Sequence, residues 1–248
     1  MKNSFLIKFL LFFLASSLAL LFLSSLLVKD VNFSAESTGT ATSTSPKYTK
    51  VIIDAGHGGE DGGASSKNGL VEKDVNLSIA KMLADMLKLN GVEVIMTRED
   101  DRLLYDRNCD FKGRKKKLDL AARKTIADSN SDALFISIHM NAYPDEIYSG
   151  LQVWYSPKVE GAQELAELIQ THCRETLQKD NTRKIKAATS SIYLLENATI
   201  PSVLVECGFL SNAMEAARFE SEEYRRQVAF TIFCAVMDFM QAENTPTA

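Results

Sequence analysis

The sequence predicts one α/β domain, a largely parallel sheet covered by helices on both faces. Three observations carry that expectation. Uninterrupted apolar runs, Val51-Ile52-Ile53, ALFISI over residues 133–138 and Val203-Leu204-Val205, read as strands buried on both sides, because a strand with one wet face would alternate. Stretches of helical length and spacing lie between them, as crossover-linked parallel strands require. The 248 residues, 46% hydrophobic and 24% charged, supply one sizeable core. A formal net charge of −4 gives no global attraction to nucleic acid.

Residues 9–28 (FLLFFLASSLALLFLSSLLV) are uncharged and mostly apolar, long enough to cross a hydrocarbon core as a helix. Lys2 and Lys8 precede them, so the N-terminus is expected to stay in the cytoplasm and the rest to be exported. Residues 1–33 are thus read as a membrane anchor, or as a signal segment cleaved near residues 30–41, where small residues cluster. Residues 34–47, rich in Ser and Thr, read as a flexible linker. Residues 48–241 form the expected domain and 242–248 a tail.

Within the domain, the first strand runs into a loop with glycines at 56, 58, 59, 62 and 63. Residues 74–90 follow as an amphipathic helix, with Val75, Leu77, Ile79, Met82, Leu83, Met86 and Leu87 on its stripe, Asp74 as N-cap and Gly91 as stop. Residues 92–96 read as a strand, 118–129 as a helix, 133–138 as the second buried strand and 150–155 as a strand with alternation. Residues 159–178 form a long helix, 191–195 a short apolar run, 203–205 a strand, and 224–241 a closing helix with Val228, Ile232, Ala235, Val236 and Phe239 inward. The basic stretch at 108–117 (NCDFKGRKKK) reads as a solvated loop entering a helix, against contact with an anionic glycan or a partner. Cys109, Cys173, Cys207 and Cys234 form no CxxC pair, which argues against a zinc knuckle or thioredoxin-like site while leaving disulfides open.

In such sheets ligands bind beyond the carboxyl ends of the strands. His57, His139 and Glu206 each follow an apolar run, so all three should project at one edge. Glu72 would join them just ahead of its helix, although Glu60, Asp61 and Asp74 are carboxylates that could serve instead. His172, the remaining histidine, lies in a charged helical stretch and reads as solvated. Two imidazoles and one carboxylate suit Zn²⁺ and leave a fourth position for water, the mark of a catalytic site. A carboxylate that is not a ligand is then needed to take the water's proton and pass it to a leaving nitrogen. Glu206 fits that post, and as a structural residue in an apolar strand it would be costly to bury unpaired. The bland rivals are a His57 that caps the next element and a His139 satisfied in the core. Neither GxGxxG, GxxxxGK[ST] nor HExxH is present.

The segments VIIDAGHGGEDGGA, VEKDVNLSIA, TRxxD at residues 97–101, SDALFISIHMNA and IPSVLVECGFLSN together resemble the zinc-dependent N-acetylmuramoyl-L-alanine amidase family, over nearly all of residues 50–241. The resemblance implies a twisted, mostly parallel sheet of about six strands with helices on both faces. It places His57, Glu72 and His139 on the family's zinc ligands and Glu206 on its catalytic glutamate. The implied reaction is hydrolysis of the amide joining the lactyl group of N-acetylmuramic acid to L-alanine of the peptidoglycan stem, with Asn141 expected to help hold the peptide. Residues 184–212 are similar to the germination-specific branch. That implies an extracytoplasmic enzyme of the spore cortex, preparing muramic-δ-lactam, with a lipoprotein activator in some organisms. A zinc peptidase cutting within the stem, or a non-catalytic membrane-anchored peptidoglycan-binding protein, are the alternatives. Between His139 and Glu206 there is no room for a long inhibitory helix, so autoinhibition of that kind is not expected.

Overall fold

Strand β1 (Lys50–Ala55) lies second from one edge of a six-stranded sheet whose order is β2-β1-β3-β6-β4-β5. The others are β2 (Glu93–Met96), β3 (Ala133–Asn141), β4 (Gln152–Tyr155), β5 (Lys186–Ala187) and β6 (Ser202–Phe209). The computed structural model describes residues 47–106, 108 and 111–244. The expected membrane segment, all but residue 47 of the expected linker, Cys109 and residues 245–248 of the tail therefore lie outside the described residues.

Strands β2, β1, β3 and β6 run parallel, as the uninterrupted apolar runs predict. Strand β4 is antiparallel to β6, and β5 follows β4 in parallel. The cause is the connection: no helix lies between β3 and β4, and without a crossover the chain returns antiparallel. On one face, α1 (Glu72–Leu89), α3 (Ala162–His172) and α6 (Glu222–Asn244) pack over Val51, Ile53, Ile136, Ile138, Val203 and Val205. On the other, Ile52, Phe135 and Ile200 meet Ile126 of α2 (Lys115–Asp128) and Leu194 of α4 (Tyr193–Glu196). Successive strand residues thus face two different cores, which is why the runs are apolar throughout.

Several expectations need correction. Helix α1 begins at Glu72, ahead of the expected cap Asp74, because the glycine loop folds back and caps it with backbone. The Glu72 N–H donates to the Ala64 carbonyl at 2.9 Å and the Lys73 N–H to that of Gly62 at 3.1 Å. Gly91 ends the helix as expected, at φ +80°. On its stripe Val75, Ile79, Leu83 and Leu87 are buried, whereas Leu77, Met82 and Met86 are only partly so. The single long helix expected over 159–178 is α3 followed by a π-helical turn, Cys173–Leu177. The apolar run at 191–195 becomes the short helix α4. Helix α5 (Ala213–Glu220) was not anticipated. Cys173, Cys207 and Cys234 are free thiols.

Candidate metal centre

Chain geometry at the end of β1 decides the site. Gly56 must be glycine: a Cβ there would stand 2.3 Å from His139 Nε2. Next comes His57 at φ +62°, the one non-glycine residue with positive φ among the described residues, a conformation that persists only where its surroundings enforce it. Two buried arginines enforce it here. Arg98 donates to the carbonyls of Ala55 at 2.8 Å, Gly56 at 3.0 Å and Lys73 at 2.8 Å. Arg123 donates to those of Ala55 at 2.9 Å and His57 at 2.8 Å. Arg123 is itself held by Asp119 at 2.8 Å and by Asp54, and Asp54 also accepts from Thr97 and Ser137. Burial would raise the Asp54 carboxyl, but Arg123 and the Ser137 hydroxyl outweigh it and hold it below its ordinary value. None of these supports was anticipated as part of the site.

His57, Glu72 and His139 come together. Glu72 Oε1 lies 3.2 Å from His57 Nε2 and 3.0 Å from His139 Nδ1, and one donor atom from each residue falls within 4.8 Å of the others. The imidazoles meet edge to face with centroids 5.0 Å apart. Gly63, at φ +68°, leaves room for this: its Cβ would lie 2.4 Å from Glu72 Oε2 and 2.8 Å from His57 Cδ2. Buried Glu72 also accepts from the backbone of Ala64 at 2.7 Å and Met140 at 3.0 Å. Burial pushes its carboxyl up, yet the bonds from His139 and His57 hold it far below the ordinary carboxylate range. Of the rival carboxylates, Asp74 is exposed and Glu60 pairs with Lys115. Asp61 stands 2.9 Å from His57 Nδ1, on the ring edge away from Glu72.

Glu206 pairs in register with His139 on the neighbouring strand, so both side chains leave the sheet on the same face. The residue touches solvent only in part, and its Oε2 is sealed without a hydrogen-bond partner. Burial pushes its pKa up to about 7, against the pull of His139. A cavity of about 250 Å³ opens over His57, His139 and Glu206, walled by Lys116 and Leu120 of α2 and by residues 191–194. A larger cavity, about 870 Å³ around Gly150, Asn181 and Arg183, includes none of the four expected residues. Asn141 sits at the end of β3, partly exposed and off the walls of the smaller cavity. His172 closes α3 and pairs with Asp238 at 2.8 Å.

The donor set fits zinc: two imidazole nitrogens and one carboxylate oxygen converge, and Asp61 stands where a carboxylate would orient the ring of a metal-bound histidine. The family model for N-acetylmuramoyl-L-alanine amidase matches residues 51–238. The chain belongs to this family. Over 202 residues it is 38% identical to the germination-specific N-acetylmuramoyl-L-alanine amidase of Bacillus subtilis (strain 168), a match covering 81% of this chain and 84% of that one. Among solved structures it is similar to the CwlD amidase from Clostridioides difficile in complex with the GerS lipoprotein, at TM-score 0.74 and 37% identity, covering 78% of this chain and 99% of that one. A further N-acetylmuramoyl-L-alanine amidase, from Clostridium difficile 630, aligns at TM-score 0.67 and 30% identity over 79% of this chain and 98% of its own. As a member of this amidase family the chain is a peptidoglycan hydrolase, and its six-stranded, mostly parallel sheet is the expected fold.

Proposed function

We propose that this amidase is zinc-dependent, with His57, Glu72 and His139 holding the ion and Glu206 moving the proton, and that it acts in the spore cortex ahead of muramic-δ-lactam formation. The observation that carries the site assignment is the convergence of three donor atoms within 4.8 Å beside a sealed, unpartnered carboxylate oxygen. Bound zinc supplies Lewis-acid polarisation of the amide carbonyl and lowers the pKa of a coordinated water to about 7. Glu206, its Oε2 sealed and without a partner, accepts a proton at that oxygen and delivers it to the departing L-alanine nitrogen. Asp61 steadies the His57 ring and the two arginines fix the loop that carries it, the preorganisation such a site needs. Asn141, beyond His139 on the same strand, steadies the peptide.

Likeness to the germination-specific amidase supports the cortex assignment, and the neighbour solved with a lipoprotein supports a partner of that kind. The segment at residues 9–28 would export the catalytic domain, residues 48–241, to the extracytoplasmic side, tethered through the linker at 34–47 unless cleaved. Incubating the purified full chain with sacculi should release one new amine, that of L-alanine, abolished by chelator and restored by zinc. A new amine elsewhere in the stem would make it a peptidase, and no new amine would leave a binding protein. Spores lacking the protein should contain no muramic-δ-lactam; normal lactam content would overturn the cortex role.

A further inference from the structure

Lys116 is an exposed cation on the wall of the reaction cavity, where the carboxylate of Asp61 feels its charge without forming a salt bridge to it. It sits in the first turn of α2 between Lys115 and Lys117, a turn with no acidic residue, where the free N–H groups of the helix already disfavour positive charge. Lys115 has compensation: it pairs with Glu60, and its ammonium lies 5.0 Å over the Phe111 ring. Lys116 is exposed and lines the same cavity as His57, His139 and Glu206. Among the described residues no side chain closes a hydrogen bond or salt bridge on it, and Asp61 of the same cavity is the carboxylate that feels its charge. Other cations at this edge are occupied. Lys73 bonds the Gly59 carbonyl at 2.7 Å and Asp101 at 2.6 Å. Arg183 donates to the Ser149 carbonyl at 2.6 Å and lies 4.4 Å over Phe209.

The substrate's chemistry says what such a cation would read. The glycan strand is neutral, since the lactyl carboxyl is consumed in the scissile amide, so the anions near the reaction are carboxylates of the stem peptide. Two residues of extended chain span about 7 Å, within reach of a flexible lysine at the wall. We propose that Lys116 binds a free carboxylate on the second residue of the stem, and so makes the enzyme prefer stems that keep this group over stems in which it is amidated. The proposal rests on the cavity over Glu206 being the reaction site.

The test uses the zinc-loaded full chain and two solubilised muramyl-peptide fragments differing only in a carboxylate or a carboxamide on the second stem residue. Lys116→Ala should raise KM for the carboxylate fragment about tenfold, as loss of a hydrogen bond to a charged group does. It should leave kcat and the KM for the amidated fragment unchanged, with zinc content intact. Lys116→Arg should retain the preference, and Lys117→Ala, one position along the same turn, should not alter it. Equal KM changes on both fragments, or no change on either, would overturn the proposal while leaving the amidase reading in place. A wild-type enzyme that cleaves neither fragment would reject both.

Discussion

Two charged clusters meet at the carboxyl edge of the sheet, and they are finished differently. In the first, Asp54, Arg123 and Asp119 are buried and fully engaged: Asp54 accepts from Arg123, Thr97 and Ser137, and Arg123 reaches two carboxylates and two backbone carbonyls. In the second, Glu206 Oε2 has no hydrogen-bond partner, and His57 Nδ1 meets only the Asp61 carboxylate, 2.9 Å away. Asp54 and Glu206 are both carboxyls shielded from water, yet Asp54 is held below its ordinary value and Glu206 is raised to about 7. The difference is a guanidinium in contact with one and no cation in contact with the other. A cluster that only has to hold is closed, and a cluster that has to bind and exchange protons is left open.

Breaking the open cluster should have the largest effect. His139→Ala removes one of the three converging donors and with it an ion held by few ligands, so stoichiometric zinc by metal analysis and hydrolysis of sacculi should both be lost. Zinc retained in full would remove His139 from the ligand set. Glu206→Gln keeps the shape and the metal but cannot take up a proton, and turnover should fall by about 10²–10⁴-fold. Normal turnover in that variant would end its role as the base.

Breaking the closed cluster should show in stability before chemistry. Arg123→Met leaves Asp54 buried without its cation, which costs about 3–5 kcal/mol, read as a lower midpoint in denaturant unfolding. Adding Asp54→Asn should recover part of that loss, because the uncompensated charge is then gone. A single variant as stable as the wild type would show that the pair is not what holds the loop.

The open cluster was far more legible in the sequence than the closed one. His57, His139 and Glu206 stand out because each interrupts or ends an apolar run, and a polar residue there has few structural uses. Arg123 and Asp54 lie 69 positions apart, and a charged residue in a helix reads as a solvated face. The signal for Asp54 was its place inside VIIDAG, a strand otherwise free of polar groups. Helix α5 was missed because AMEAARFE is short and charged, although Asn212 followed three residues later by Glu215 is a start signal. In the structure Asn212 does cap it, accepting from the Met214 and Glu215 backbone. The start of α1 was misplaced because its cap is loop backbone, which leaves no side-chain trace.

The comparison sharpens further in the pH dependence of the metal-free protein, where the two carboxyls should act in opposite directions. Asp54 is depressed in the fold, so its contribution is complete above its ordinary value of 3.8 and disappears as the pH falls below it. Glu206 is raised from 4.5 to about 7, so the folded state binds a proton that the unfolded state has released, and stability declines as the pH rises through that window. Glu206→Gln cannot ionise. The chelated variant should therefore match the wild type below about pH 4.5 and exceed it above about pH 7 by at most about 3 kcal/mol, from the size of the shift. Restoring zinc should shrink the gap, since a neighbouring dication favours the carboxylate. Stability curves that stay parallel from acid to alkaline pH would mean that Glu206 ionises as freely as a surface carboxyl, and a group that ionises that freely is not poised to carry a proton at neutral pH.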